Sequence, residues 1–126
     1  MTGSVARLPV EIGAVLNGKY VVEDVLGALA DPTRRDLLGH IARHGTATAT
    51  MLADELPISR QGVTQHLALL TSAGLVDSRR EGRERRFHVR PDTLLDTSAW
   101  LADLAHQWDV RLARIKDLAE AAPPSD

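Results

Sequence analysis

The stretch Leu56-Pro57-Ile58-Ser59-Arg60-Gln61-Gly62-Val63-Thr64-Gln65-His66-Leu67-Ala68-Leu69-Leu70-Thr71-Ser72-Ala73-Gly74 decides the fold. Pro57 and Ile58 break a preceding short helix that Thr48 can cap and that contains Met51, Leu52, Ala53 and Leu56. Ser59 is a hydroxyl N-cap, and Val63, Leu67 and Leu70 recur at spacings of four and three, the period of a helix with one buried stripe. That helix is expected over Arg60 to Ala73, with Gly74 as its stop. Helix, three-residue break, helix is the helix-turn-helix arrangement.

Downstream, Leu75 to Arg80 and Arg85 to Arg90 read as two strands joined through Glu81-Gly82-Arg83-Glu84. In the second, Phe87 and Val89 alternate with Arg86, His88 and Arg90, the pattern of a half-buried strand closed by Pro91. A last helix is predicted from Asp92 to Ala121. Leu101, Ala105, Trp108, Leu112, Ile115 and Ala119 follow spacings of four and three along it, a heptad-like seam. Pro123-Pro124 ends that helix, and residues 122–126 are expected to be disordered.

Upstream, Val22, Val25, Leu26 and Leu29 follow i, i+3, i+4, i+7 and predict a first helix near 20–30. Asp31-Pro32 then reads as an N-cap followed by proline at the first helical position, opening a second helix that buries Leu37, Leu38 and Ile41 and stops at Gly45. Residues 1–19 are interrupted by Gly3, Pro9, Gly13 and Gly18, yet Val5, Leu8, Val10, Ile12, Val15 and Leu16 are too apolar for a solvated tail; an arm packed on the body or on a second subunit is expected. The fold class is therefore mainly α with a β-hairpin, in the order α-α-α-α-β-β-α: a winged helix-turn-helix over residues 20–121.

Composition narrows the function. One ordinary domain fits in 126 residues, and 44% apolar with 25% charged residues is the balance of a soluble globular chain. The absence of cysteine excludes disulfides, thiolate metal sites and a cysteine nucleophile. No apolar run is long enough to span a membrane, and no signal sequence is evident, so a cytoplasmic protein is expected. No nucleophile-elbow or phosphate-loop motif promotes an enzyme. The net charge of −2 conceals an asymmetry: residues 59–90 hold seven arginines against three acids, a local +4, while the remainder carries −6. A basic segment on an acidic body is the footprint of an anionic partner.

Double-stranded DNA fits that footprint. Gln61, Thr64, Gln65 and Ala68 fall on the face opposite the buried stripe of the second helix of the motif; glutamine can pair with an adenine edge, and the Thr64 and Ala68 methyls with a thymine methyl. Arg60 suits guanine or a phosphate, and Ser59 with the helix N-terminus suits a phosphate. Arg83 at the hairpin tip is expected in a minor groove, with Arg79, Arg80, Arg85 and Arg86 on phosphates. Glu81 and Glu84 are close enough in sequence to pair with some of these arginines. His66 lies beside the exposed stripe, suited to a structural hydrogen bond or to a phosphate.

Ala28-Leu29-Ala30-Asp31-Pro32-Thr33-Arg34-Arg35, Leu56-Pro57-Ile58-Ser59-Arg60, Thr64-Gln65-His66-Leu67, Ala73-Gly74-Leu75-Val76 and Arg79-Arg80-Glu81-Gly82-Arg83 together resemble the ArsR/SmtB family of bacterial regulators, over about residues 20–119. The resemblance implies a homodimeric winged-helix repressor on an inverted-repeat operator, with the first and last helices forming the dimer interface. It also implies, for many members, a cysteine pair on the helix before the recognition helix; here Thr48 to Ala53 carry no thiol. Others use histidines and carboxylates of the last helix; here Asp103 and His106 stand three apart and no second histidine follows. No metal site and no cofactor are expected, and no effector is identified. His40 and His44 stand four apart, a spacing that can hold a transition metal, but no third ligand is near in sequence, so a structural role is expected. Trp100 and Trp108 are expected in core or interface rather than in a ligand pocket. Two rival readings keep the fold: a winged helix that binds protein, or a ligand- or metal-responsive sensor with a non-cysteine site.

Overall fold

The polar residues that punctuate the sequence act as caps. In the computed structural model of the chain, which describes residues 14–16 and 18–121, Asp31 Oδ1 accepts from the Thr33 N–H at 2.8 Å, Thr48 Oγ1 from Met51 at 3.2 Å and Ser59 Oγ from Gly62 at 3.0 Å. Each satisfies a backbone donor that has no partner within its own helix. The helices so opened are α2 (Pro32–His44), α3 (Ala49–Glu55) and α4 (Arg60–Ser72). They follow α1 (Val22–Ala30), and precede a hairpin of β3 (Val76–Glu81) and β4 (Glu84–Val89) and the long α5 (Pro91–Ala121). This is the winged helix-turn-helix order the sequence predicts.

An element that the sequence reading missed precedes α1. Two-residue strands β1 (Val15–Leu16) and β2 (Tyr20–Val21) pair antiparallel, Val15 with Val21 and Leu16 with Tyr20. The first helix consequently starts at Val22 rather than near residue 20. The rest of the expected arm, residues 1–13, and the expected tail, 122–126, lie outside the described residues. Pro91, read as closing the hairpin, is instead the first residue of α5.

Two compact units divide the chain, residues 12–97 and a second of which residues 98–121 are described. In the first, Val25, Leu37, Ile41, Leu52, Val63, Leu67, Leu70 and Leu75 are at most 2% exposed. Thr93 and Thr97, on the first turns of α5, are buried too, and Thr97 Oγ1 donates to the Thr93 carbonyl at 2.7 Å. The buried stripe of α1 is Val22, Val25 and Ala28; of the periodic residues that predict this helix, Leu26 is exposed and Leu29 half-buried. A spacing of three turns the stripe away from Leu26, which a four-residue step would have included.

Gly74 is required by a close approach. Its φ is +80°, and a Cβ there would lie 2.5 Å from the Tyr20 ring, so only glycine lets β2 lie against the end of α4. Arg90 holds the same ring from the other end of the wing: its Nη1 donates to Tyr20 Oη at 2.9 Å, and its Nη2 pairs with Asp92 at 2.7 Å. The Asp92 carboxylate, foremost, raises the Arg90 pKa, and Arg90 in return holds Asp92 below the usual carboxylate range.

In the second unit, α5 presents its apolar seam to solvent. Leu101, Trp108, Leu112 and Ile115 are 43–61% exposed in the single chain, and Ala105 and Ala119 are exposed as well. No helix of the described residues is long and apolar enough to cross a membrane.

Candidate nucleic-acid interface

The face of α4 opposite its buried stripe is bare. Gln61, Thr64, Gln65 and Ala68 are exposed, as are Ser59 and Arg60 at its start. Gly62 sits under the cap, where a Cβ would come within 2.8 Å of the Ile58 side chain and 3.3 Å of Ser59 Oγ. The missing side chain therefore serves the tight turn between α3 and α4. The Thr64 hydroxyl donates to the Arg60 carbonyl at 3.0 Å, which leaves its methyl free to face outward.

His66 has a different setting from its neighbours. It is half-buried, and Arg34 Nη1 approaches its Nδ1 at 3.4 Å. A guanidinium can only donate, so the neutral ring carries its proton on Nε2. Arg34 also donates to the Ala28 and Gly27 carbonyls at 2.9 and 3.2 Å and pairs with Asp31 at 3.3 Å, thereby joining the end of α1, the cap of α2 and the middle of α4. The Thr33 N–H, then Arg34 and His66, hold the Asp31 carboxyl below its ordinary value. Arg34 is absent from the site residues read from sequence. Asp31 stands three residues away, but the contact that brings Arg34 to α4 spans 32 residues, and no motif spacing reports it.

The wing separates its arginines by strand register. Arg79 pairs across from Arg86, Asp77 from His88 and Glu81 from Glu84; Ser78 pairs across from Phe87 and Arg80 from Arg85. Directly opposed residues share a face, and alternate residues change face. One face thus carries Asp77, Arg79, Glu81, Glu84, Arg86 and His88. The other carries Ser78, Arg80, Arg85 and Phe87, with no acid. On the first, Arg86 is held by Glu81 at 3.3 Å, by Glu84 at 3.5 Å and by the Thr46 hydroxyl at 3.4 Å. On the second, Arg85 donates to Ser78 Oγ at 2.9 Å. Thr46-Ala47 runs along the outer edge of β4, with Ala47 and Phe87 exchanging both backbone hydrogen bonds. Phe87, His88, Val89 and Arg90 are consequently all half-buried, in place of the clean alternation expected.

A cleft of about 280 Å³ lies between the acid-free wing face, the start of α3 and the start of α4. It is lined by Thr48, Thr50, Arg60, Thr64, Arg83 and Arg85 among others. Thr50 is a second site residue missed in sequence; the hairpin must fold back before it meets the wing.

The histidine pair on α2 gains a carboxylate partner. His40 Nδ1 lies 2.8 Å from Glu55 Oε2, and His44 Nε2 lies 2.6 Å from Glu55 Oε1. The carboxylate at the end of α3 therefore bridges two imidazoles one turn apart and ties α3 to α2. Among the described residues no group of three histidine, aspartate or glutamate side chains could hold a metal ion.

Comparisons with known proteins agree with this architecture. A helix-turn-helix domain family matches residues 29–79. An HTH-type transcriptional regulator of Mycobacterium tuberculosis is 37% identical over 94 residues, 75% of this chain and 84% of that one. The transcriptional repressor SdpR of Bacillus subtilis is 27% identical over 88 residues, 70% of this chain and 97% of the repressor. The structure of an ArsR-like transcriptional regulator from Rhodococcus sp. RHA1 superposes with a TM-score of 0.78 at 38% identity, covering 81% of this chain and 93% of that one. With its winged helix-turn-helix and its cysteine-free α3, the chain belongs to the ArsR family of transcriptional regulators.

Proposed function

We propose that the protein is a repressor that binds an inverted-repeat DNA operator as a homodimer. The observation that carries this reading is the exposed Gln61, Thr64, Gln65 and Ala68 face of α4 standing beside an arginine-bearing, acid-free wing face. A helix of this kind enters a major groove, where glutamine reads adenine and methyl groups read thymine. Ser59 and Arg60 meet the backbone at its N-terminus, Arg83 reaches the minor groove, and His66 offers Nε2–H to a phosphate.

Dimerisation supplies the second half-site. The apolar seam of α5 lies uncovered in the single chain, and Leu26 is exposed on α1. Burying both against a second copy would remove that apolar surface from water. The two recognition helices would then address major-groove faces one helical turn apart. Repression, as in the Bacillus subtilis relative, follows where such a site overlaps a promoter.

Selection of bound sequences from a random duplex library tests this. An enriched inverted repeat is expected, and Gln65→Ala should change the preferred base at one symmetric position by roughly 1–3 kcal/mol. Equal losses on selected and random DNA would remove Gln65 from base reading. A folded dimer that enriches nothing would leave two readings: a missing effector is required for binding, or the winged helix serves a protein partner.

A further inference from the structure

The sequence places all five wing arginines on DNA alike; the register divides them. Arg79 and Arg86 share their face with Asp77, Glu81 and Glu84. Glu81 and Glu84 pair with Arg86, while Arg79 forms no ion pair among the described residues and is offset only by the field of the acids on its face. Arg86 is doubly paired and also bonded to Thr46, which makes it a brace between the wing and the α2–α3 connection. Arg80 and Arg85 share a face without any acid, and neither forms an ion pair among the described residues. Arg85 is held in place by a neutral hydroxyl, which leaves its charge unspent.

That face looks into the cleft at the start of α4. Arg60 lines it from α4 and Arg83 and Arg85 from the wing, with the exposed Thr50 of α3 in the lining as well. Glu84 is part of the lining too, and its carboxylate pairs with Arg86 at 3.5 Å. A concave space of about 280 Å³ with three cations and a hydroxyl suits a phosphodiester, whose two free oxygens accept charge-assisted hydrogen bonds.

We infer that this cleft grips a backbone phosphate of the DNA between recognition helix and wing, that Arg60, Arg85 and Thr50 hold it, and that the Arg79/Arg86 face stays out of the interface. The inference rests on the DNA-binding reading above and adds which cations meet the backbone. Helix and wing then act as two jaws on one phosphate, so the wing fixes the depth of α4 in the groove. Arg80 extends the same face toward the next phosphate along the strand.

Salt dependence of binding to the selected duplex is the test, because it counts phosphates neutralised rather than affinity alone. Each phosphate contact contributes about 0.9 to the slope of log affinity against log salt, and a dimer has two such clefts. Arg60→Gln with Arg85→Gln together are expected to lower the slope by about 2, one phosphate in each cleft, and Arg85→Gln alone by a clear part of that. Thr50→Val should weaken binding several-fold with the slope nearly unchanged, since it removes a hydrogen bond and no charge. Arg79→Gln should leave both slope and affinity at the wild-type value. Single neutral methylphosphonates placed along the duplex give the complementary reading. One position should abolish the difference between wild type and Arg85→Gln. A slope that falls equally in Arg79→Gln and Arg85→Gln overturns the face assignment while DNA binding stands. A wild-type protein with no salt-dependent affinity for any duplex overturns the DNA-binding reading itself. Thermal melts of each variant keep folding out of the comparison.

Discussion

Helices α4 and α5 carry apolar stripes of the same spacing and meet opposite fates. On α4, Val63, Leu67 and Leu70 are 0–2% exposed, sealed by their own chain. On α5, Trp108, Leu112 and Ile115 are 43–61% exposed. Periodicity reports that a helix has one apolar side; it is silent on whether that side meets the same chain or another. The first way to break the contrast is to open the sealed stripe. Leu70→Ala removes a fully buried side chain from a filled core, and should destabilise the fold by about 2–5 kcal/mol. Urea unfolding measures it. A loss below about 1 kcal/mol would mean that α4 is no better sealed than α5.

The reciprocal change is Leu112→Asp. Leu112 is 59% exposed in the single chain, so the substitution opens no cavity within it. Its expected effect lies in assembly, where a carboxylate trapped in an apolar seam weakens the dimer by 100-fold or more, on the order of 3 kcal/mol. Sedimentation should show a monomer with undiminished helical circular dichroism. An unchanged mass would assign the seam some other role than dimerisation.

The contrast also marks where a sequence can be read. Asp31, Thr48, Ser59 and Gly74 declare helix ends because a cap or stop acts within a few residues, and every helix those signals predict is present. The buried stripe and exposed face of α4 follow from the same short-range logic. Longer reach defeats it. Glu55 meets His40 and His44 at separations of 15 and 11 residues, which is why the histidine pair looked partnerless. Arg86 looked like its neighbours until the strand register set it beside Glu81 and Glu84. Strands β1 and β2 escaped notice because two residues each carry no period at all.

The Glu55 bridge permits the finest test of how the sealed unit is held. The hydrogen bond from His40, and after it that from His44, keeps the Glu55 carboxyl below its usual range. A carboxyl depressed in the folded state favours folding at pH values above its unfolded titration, near 4.5. That advantage fades as pH falls through the lower, folded value, where the carboxylate takes up a proton and loses its hold on the imidazoles. Glu55→Gln should therefore melt below wild type at neutral pH, and the gap should narrow steadily in acid. The group lies at the surface, so the gap should be smaller than the loss from Leu70→Ala. A gap that stays constant from pH 7 to pH 3.5 would show that the carboxylate charge takes no part in tying α3 to α2. A gap as large as that of Leu70→Ala would move the main restraint on the helix-turn-helix from its core to this surface bridge.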